Sequence, residues 1–351
     1  MNIIFFEAED VEARILLDLY GDIDYDVVRH TLNAGNADKF ADAEIISCFI
    51  YSDLSKDVLK KLKKLKFIAT RSRTFDHIDL EYCDQNGITV ANVPAYGNDT
   101  VAEHVFSLLL SLSRHIPQAA QRTREGDFSA HGLQGFDLHG KTIGIIGTGA
   151  IGLRTAAIAK AFGMNVLGYD INPKHLIAEA AGLTHTSLDK LLAQSDIISL
   201  HVSNSPAARH LLSEKEFAQM KNGAVIVNTA FGAAIDVKAL LQALASGKVS
   251  AVGLDVLPDE SAIHEEAEFL RETFPAKHDA ETLLATHALL HHKNVIVTPH
   301  MAFYTRETIE GILRTTGDNI QSFQSGHHLN IVNKPLFRHA QPEGDVKARQ
   351  A

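Results

Sequence analysis

A glycine-rich turn in the middle of the chain constrains its fold more than any other feature. Residues 147–152 read Gly-Thr-Gly-Ala-Ile-Gly, after an apolar run at 142–146 and before an alanine-rich stretch at 153–162 with helical spacing. A buried strand, a G-x-G-x-x-G turn and a helix in this order are typical of a dinucleotide-binding βαβ unit. The alternative is a glycine turn with a purely structural role. The context favours a nucleotide site on a parallel sheet.

The individual residues of this unit indicate which dinucleotide it binds. Gly147 makes the tight turn, Gly149 lets a pyrophosphate approach the backbone, and Gly152 lets helix and strand pack closely. Asp170 follows the next apolar run, 18 residues after Gly152. Its carboxylate can hydrogen-bond the adenosine ribose hydroxyls and repel a 2′-phosphate, so the sequence predicts NAD rather than NADP as the cofactor.

Size and charge narrow the class of protein. The chain has 351 residues, which is enough for two domains. Its formal net charge of -10 argues against nucleic acid or an anionic membrane as a partner. It contains no apolar run of the ~20 residues that span a bilayer. Residues 1–7 are expected to form a first strand rather than a signal peptide. Cys48 and Cys83 are expected to be reduced, partly buried thiols, and the default location is the cytoplasm.

Strand-like and helical patterns alternate along the whole chain, which predicts parallel α/β architecture. Four strands are predicted in a first unit and six in a second unit that starts at about residue 141, at 3–6, 44–49, 67–70, 89–92, 143–146, 166–169, 197–200, 224–228, 251–254 and 295–298. Helices are predicted at 57–65, 99–114 and 305–323. The glycine turn lies too far along the chain for the nucleotide-binding domain to come first. We therefore expect a discontinuous substrate domain (1–98 and 300–337), an NAD-binding domain (99–299) and a disordered tail (338–351).

The ordered motifs resemble those of the D-isomer-specific 2-hydroxyacid dehydrogenases, particularly the D-lactate dehydrogenase branch. The matching stretches lie between about 68 and 335, at 75–79, 92–96, 101–104, 147–152, 200–202, 227–230, 253–256 and 298–305. The resemblance implies two doubly wound parallel-sheet domains, a Rossmann cofactor domain and a flavodoxin-like substrate domain. It also implies NAD as cofactor, a small 2-keto or 2-hydroxy acid as substrate, and a homodimer that involves helix 99–114.

The same resemblance assigns roles to individual residues. His300 corresponds to the family's acid/base histidine and Glu260 to the carboxylate that orients it. Asp255 corresponds to the residue that faces the nicotinamide. The remaining cofactor contacts would come from Ala150, Ile151, Val202, Ser203, Thr229, Ala230 and Phe231, with Ser203 standing where the family usually has proline. Phe49, Tyr96 and Phe303 would complete the pocket wall.

Two departures from the family pattern concern the substrate. Phe231 stands where the family has the arginine that binds the substrate carboxylate, and the loop that normally receives the carboxylate on backbone N–H groups reads Ser72-Arg73-Thr74. Phenylalanine cannot make the paired N–H bonds of a guanidinium. Our hypothesis is that Arg73 takes over the carboxylate. The alternative is that Arg73 is a solvated loop residue and activity is weakened or lost.

Other functions remain open at this point. The chain could be a non-catalytic, NAD(H)-binding relative such as a sensor or corepressor, or an oxidoreductase for another anion such as phosphite. The histidines at 278, 287, 291 and 292 lack tight ligand spacing, so no metal site is predicted.

Overall fold

Two parallel sheets organise the protein, whose computed structural model describes residues 1–21, 25–173, 181–258 and 280–334. The first unit of the chain comprises residues 1–96 and the segment from 306 onward, and the second comprises residues 97–305. The described strands are β1 Ile3–Phe6, β2 Tyr25–Val28, β3 Ile45–Cys48, β4 Phe67–Thr70, β5 Thr89–Ala91, β6 Thr142–Ile146, β7 Asn165–Tyr169, β8 Thr184–His185, β9 Ile197–Leu200, β10 Ala224–Asn228, β11 Val249–Leu254 and β12 Val295–Val297. The described α-helices are α1 Asp10–Tyr20, α2 Lys56–Leu59, α3 Leu80–Asn86, α4 Asn98–Ser113, α5 Ile116–Arg124, α6 Ala150–Ala161, α7 Leu188–Gln194, α8 Glu214–Gln219, α9 Val237–Ala245, α10 Ala280–Leu290 and α11 Arg306–Gln324.

The first unit has a five-stranded sheet in the order β2-β1-β3-β4-β5, with every described pairing parallel. This is the flavodoxin-like order. The C-terminal segment belongs to this unit because α11 packs on its sheet: the ring of Phe323 stacks on that of Phe67 on β4, with centroids 4.4 Å apart. After α11 the chain hydrogen-bonds to β5, through Val332 N–H to the Val90 carbonyl.

The second unit has a seven-stranded parallel sheet in the order β12-β11-β10-β9-β6-β7-β8. Counted from β6, this is the Rossmann order 3-2-1-4-5-6 with one strand added at the β12 edge. Its central strands β9 and β10 are buried along their whole length, as expected for a sheet covered by helices on both faces. The predicted fold class of two doubly wound parallel-sheet units is therefore confirmed.

The structure corrects several predicted elements. The sequence prediction missed β2 and β8, which are edge strands of four and two residues. Helix 57–65 was predicted too long, since α2 ends at Leu59 and continues as turns with three-residue hydrogen bonds such as Leu62 N–H to the Leu59 carbonyl. Leucines at 59, 62 and 65 repeat every three residues, and this spacing suits the tighter turns while still burying all three side chains.

Candidate active site

The residues predicted to bind the cofactor meet at one edge of the second unit's sheet. Because all seven strands are parallel, the segments that leave their carboxyl ends lie along the same edge. The glycine turn follows β6, Asp170 follows β7, and His201 follows β9 with Val202 and Ser203 behind it. Thr229, Ala230 and Phe231 follow β10, Asp255 follows β11, and His300 comes three residues after β12.

The three glycines of the turn differ in what surrounds them. Gly147 has a φ of +95°, and a Cβ there would lie 2.5 Å from the His201 carbonyl oxygen. A Cβ on Gly152, at the start of α6, would lie 2.1 Å from the Gly147 carbonyl oxygen. A Cβ on Gly149 would meet no heavy atom within 4 Å. Gly147 and Gly152 are therefore required by the fold itself, whereas Gly149 borders open space.

Asp170 is held in place by the glycine turn. Its Oδ2 accepts the Thr148 backbone N–H at 2.7 Å and the Thr148 hydroxyl at 3.2 Å, while Oδ1 accepts the Asn172 N–H at 2.9 Å. Burial raises the pKa of the Asp170 carboxyl, but the hydrogen bonds from Asn172 and Thr148 outweigh it, so the pKa lies below its ordinary value. An ionised carboxylate thus sits at the end of β7.

Asp255 organises the loop that carries His300. The carboxylate, 1% exposed, accepts the Thr298 hydroxyl at 2.6 Å and the backbone N–H groups of Met301 at 3.0 Å and Ala302 at 2.9 Å. The His300 N–H donates to the Asp255 carbonyl at 3.0 Å. His300 itself has a φ of +49°, in the left-handed region that non-glycine residues rarely adopt. The clamp around Asp255 therefore holds the His300 backbone in a strained conformation.

His104 on α4 is a further partner of this clamp that sequence reasoning did not single out. Its Nε2 lies 3.0 Å from the Thr298 hydroxyl oxygen and 3.4 Å from Asp255 Oδ1. Burial raises the pKa of Asp255, while hydrogen bonds from His104, Thr298, Ala302 and Met301 together bring it below its ordinary value. His104 lies in the motif at 101–104, but nothing in its spacing there indicates a contact with Asp255.

Phe231 follows β10 in an extended conformation, with φ -158° and ψ 151°. Its carbonyl accepts the Asn228 side-chain amide at 3.0 Å, and the Asn228 side chain in turn accepts the Ala230 N–H at 3.0 Å. The Phe231 side chain is half-buried and packs against the apolar core of the second unit. The backbone of this turn is therefore set by Asn228 and does not depend on the side chain at 231.

The predicted substrate residues of the first unit also follow carboxyl strand ends, with Phe49 after β3 and residues 71–74 after β4. Arg73 donates from Nη2 to the Tyr96 carbonyl at 3.2 Å, and its guanidinium carbon lies 5.7 Å from the centre of the Tyr96 ring. The Asn92 side chain donates to the Arg73 carbonyl at 2.8 Å. The backbone of Arg73 is thus fixed by Asn92, and its side chain is fixed by the carbonyl and the ring of Tyr96.

Ser72 and Thr74, which flank Arg73, have different surroundings. The Ser72 hydroxyl is 1% exposed and lies 2.8 Å from the Thr70 hydroxyl, and it also donates to the Thr74 carbonyl. Ser72 therefore stiffens the loop from inside, while Thr74 is exposed.

Arg71 is a buried guanidinium that sequence reasoning missed. Its Nη2 donates to the carbonyls of Phe6 and Glu7 at 2.8 Å each, its Nη1 donates to Ser47 Oγ at 3.3 Å, and its Nε lies 3.5 Å from a Glu12 carboxylate oxygen. These contacts join β1, β3 and α1 at the end of β4. Arg71 therefore cross-links the first unit from inside, whereas Arg73, two residues later, is partly exposed.

The predicted aromatic residues occupy defined positions in their own units. The Phe303 ring meets the His300 ring edge-on, with centroids 6.2 Å apart. The Phe49 ring meets that of Tyr51 edge-on at 5.8 Å. Burial raises the pKa of the Tyr96 hydroxyl, opposed by the backbone and charge of Arg73, and the net pKa lies above its ordinary value.

Some predictions fall outside the part of the chain that the structure describes. Glu260 lies outside the described residues, as does the predicted tail at 338–351. Within the described ranges, no group of three or more His, Cys, Asp or Glu side chains is arranged to hold a metal ion. The described helices include none that is both long and apolar enough to cross a membrane.

Known proteins with the same architecture are similar over almost the whole chain. The family profile "D-isomer specific 2-hydroxyacid dehydrogenase, NAD binding domain" matches residues 106–302. D-lactate dehydrogenase of Escherichia coli is 40% identical over 81% of this chain and 84% of its own length. The chain belongs to the D-isomer specific 2-hydroxyacid dehydrogenase family. It is therefore an NAD-dependent oxidoreductase, and the cofactor that the glycine turn and Asp170 predicted is confirmed.

Further relatives agree with this assignment. The 2-hydroxyacid dehydrogenase homolog 1 of Schizosaccharomyces pombe is 38% identical over 93% of this chain and 97% of its own. The structure of D-lactate dehydrogenase from Aquifex aeolicus complexed with NAD and lactic acid is 35% identical, with a TM-score of 0.81, covering 93% of this chain and 96% of that chain. The pyruvate reductase of Chlamydomonas reinhardtii is 34% identical, with a TM-score of 0.84, covering 94% and 98%.

The geometry of the second unit fits NAD. Open space at Gly149 leaves room for the pyrophosphate beside the backbone N–H groups of Ala150 and Ile151 at the start of α6. The buried Thr229 hydroxyl finds no hydrogen-bond partner among the described residues, so a polar group of the nicotinamide end can supply one. Asp170 offers an ionised carboxylate at the end of β7, where the ribose of a dinucleotide lies in this fold.

Proposed function

We propose that this enzyme reduces a 2-keto acid to its (R)-2-hydroxy acid, with His300 as the acid/base residue. NADH supplies the hydride when bound, and the His300 imidazolium gives its proton to the keto oxygen, taking it back in the reverse direction. The observation that carries the proposal is the set of three hydrogen bonds by which the buried Asp255 carboxylate holds Thr298, Met301 and Ala302, the residues on either side of His300. A strained residue held in this way at a strand end is typical of functional sites.

We assign Glu260 the role of orienting His300 and stabilising its protonated ring, as in the family. This assignment rests on sequence, since Glu260 follows Asp255 by five residues. We assign the cofactor contacts to the three glycines, Asp170 and the segments after β9 and β10. Asp255 contributes to the nicotinamide side mainly through the loop that it holds.

We further propose that Arg73 binds the substrate carboxylate in place of the residue at position 231. The other arginine of the loop, Arg71, directs its Nη donors to the carbonyls of Phe6 and Glu7 and to the Ser47 hydroxyl, so these donors are already used within the fold. Arg73 instead has a pre-set orientation over Tyr96, which reduces the entropy lost when a carboxylate binds. Phe231 offers neither charge nor donor.

Steady-state kinetics with pyruvate and bulkier 2-keto acids test this assignment. Losing a charge-assisted pair costs about 2–5 kcal/mol, so Arg73→Ala should lower kcat/KM roughly 30- to 4,000-fold. Arg29→Ala is the matched control, because Arg29 is an exposed arginine of the same unit paired with Asp10. Phe231→Arg should raise kcat/KM in the Arg73→Ala background. An Arg73→Ala enzyme as active as Arg29→Ala would refute the relocation.

Pyruvate and D-lactate are the first substrate pair to test, since the Aquifex relative was solved with lactic acid. The aromatic side chains of Phe49, Tyr96, Phe303 and Phe231 favour larger or aromatic 2-keto acids as further candidates. A panel of 2-keto acids followed by NADH oxidation at 340 nm ranks them.

One observation favours a second function. Phe231 stands where the paired hydrogen bonds to the carboxylate would originate, as expected of a relative that binds NAD(H) with little turnover. The same NADH assay separates the two functions, because a sensor-like protein would bind NADH and oxidise it with none of the 2-keto acids. Phosphite with NAD is added to the panel, since a basic residue at position 73 also suits that anion.

We propose that the chain works as a cytoplasmic homodimer in which the first unit binds substrate and the second binds NAD. Exposed apolar side chains on one stretch of the second unit support the dimer, with Ile116 54% and Phe128 83% exposed. The two cysteines, free and buried, suit a reducing compartment. Light scattering of the purified protein measures its mass in solution.

A further inference from the structure

A histidine on the short edge strand β8 reaches the cofactor side of the sheet. His185 Nε2 lies 3.1 Å from the Thr148 hydroxyl oxygen, inside the glycine turn. That hydroxyl also lies 3.2 Å from Asp170 Oδ2. His185, Thr148 and Asp170 thus form a chain of hydrogen bonds from β8 through the turn to the end of β7. Thr148 is 3% exposed, so water does not replace its partners.

The donors and acceptors in this chain have one consistent arrangement. The Asp170 carboxylate is ionised and only accepts, so the Thr148 hydroxyl must give its single proton to Oδ2. The Thr148 oxygen must then accept from His185, which places a proton on Nε2 of the imidazole. His185 therefore holds the hydroxyl in the rotamer that points at Asp170.

This arrangement leaves one acceptor site of the Asp170 carboxylate for a ligand. Oδ2 receives the Thr148 N–H and hydroxyl, and Oδ1 receives the Asn172 N–H. Of about four acceptor sites on a carboxylate, the described residues fill three, and the fourth is on Oδ1. The two hydrogen bonds from Thr148 to Oδ2 fix the orientation of the carboxylate, so a ribose hydroxyl finds Oδ1 in a set position.

We propose that His185 is a positioning residue for cofactor binding, which holds Thr148 on Asp170 so that Asp170 Oδ1 receives the 2′-hydroxyl of the adenosine ribose. The proposal rests on the proposed contact of Asp170 with the ribose. It also assigns a role to β8, a strand of two residues at the sheet edge, because pairing with β7 brings His185 opposite Gly168 and toward Asp170.

The test compares ADP with 2′-deoxy-ADP by calorimetric titration of the full chain without NAD. One charge-assisted hydrogen bond should make ADP bind roughly tenfold or more tightly than 2′-deoxy-ADP to the wild-type protein. His185→Asn is too short to reach Thr148 and should reduce this preference to about threefold or less. His185→Gln carries an amide N–H near the position of Nε2 and should keep it. A general loss of structure would weaken both ligands alike and leave their ratio unchanged.

The controls separate the possible failures. Thr184→Ala changes the neighbouring residue of the same strand, whose side chain is exposed, and should keep the wild-type ratio. Asp170→Asn should abolish the preference. If the wild-type protein shows no preference, both the ribose contact and the role of His185 are wrong. If Asp170→Asn abolishes the preference but His185→Asn retains it in full, only the role of His185 is overturned.

Discussion

Replacing Asp255 by asparagine should destabilise the protein and loosen the residue proposed to transfer the proton. An asparagine can keep its oxygen toward Thr298 and Met301, but its NH₂ group then faces the Ala302 N–H, which is buried. The orphaned N–H costs about 1–3 kcal/mol, and loss of charge weakens the other two hydrogen bonds by about 1 kcal/mol each. We therefore expect a loss of about 3–5 kcal/mol in the free energy of unfolding.

The measurement is urea unfolding followed by circular dichroism, together with NADH oxidation. Because Met301 and Ala302 directly follow His300, displacement of the loop should also lower kcat/KM by up to about a hundredfold. Asp196→Asn is the matched control, since Asp196 accepts a backbone N–H from Thr142 at 2.9 Å in the same unit but is partly exposed. That control should cost about 1 kcal/mol or less. An Asp255→Asn protein as stable and as active as Asp196→Asn would show that the clamp does not govern His300.

Two further predictions concern the glycine turn and a buried histidine. Gly149→Ala should fold with wild-type stability yet weaken NADH binding at least tenfold, whereas Gly152→Ala should lower the free energy of unfolding by about 1–3 kcal/mol, because its Cβ meets the Gly147 carbonyl. Thermal melting measures the stability of each variant, and NADH fluorescence titration measures its affinity. An equal loss of stability in both variants would contradict the roles assigned to the two glycines. Burial lowers the pKa of His201 from 6.5 to about 4, so the folded state resists its protonation and stability falls as pH drops from about 6.5 to about 4. At pH 5 the free energy of unfolding lost to this titration is about 2 kcal/mol. His201→Gln should therefore show a correspondingly smaller difference in unfolding free energy between pH 7 and pH 5. An unchanged pH dependence would show that His201 is not the group responsible.

Local sequence patterns predicted most of the fold. The glycine turn, the apolar runs and Asp170 predict a strand–turn–helix–strand unit within about 30 residues, so a dinucleotide-binding domain could be inferred from sequence. The order of its strands comes from the structure. The edge strands β2 and β8 could not, because each is short and only half-buried and so lacks the continuous apolar run of a central strand. The predicted length of α2 was wrong because leucines spaced three residues apart also fit one face of an α-helix.

The supporting contacts of the site were less predictable, because they join residues far apart in the chain. His104 meets Thr298 across 194 residues, and Arg71 meets Phe6 across 65. Each is a polar residue whose burial arises only when separate strands assemble, so its sequence neighbourhood gives no sign of it. The Thr148–His185 pair depends on β8, which was itself missed.

At position 231 the contacts that hold the backbone turn are separate from the side chain. The turn after β10 is held by the Asn228 side chain through the backbone of Ala230 and Phe231, and Gly232 is required because a Cβ there would lie 2.0 Å from the Leu257 backbone. None of these contacts involves the side chain at 231. An arginine or a phenylalanine can therefore occupy the same backbone, and the first-unit loop can change independently at Arg73. Similarity of fold and sequence thus establishes the family and its cofactor, whereas our proposal for the substrate depends on the side chains at positions 73 and 231.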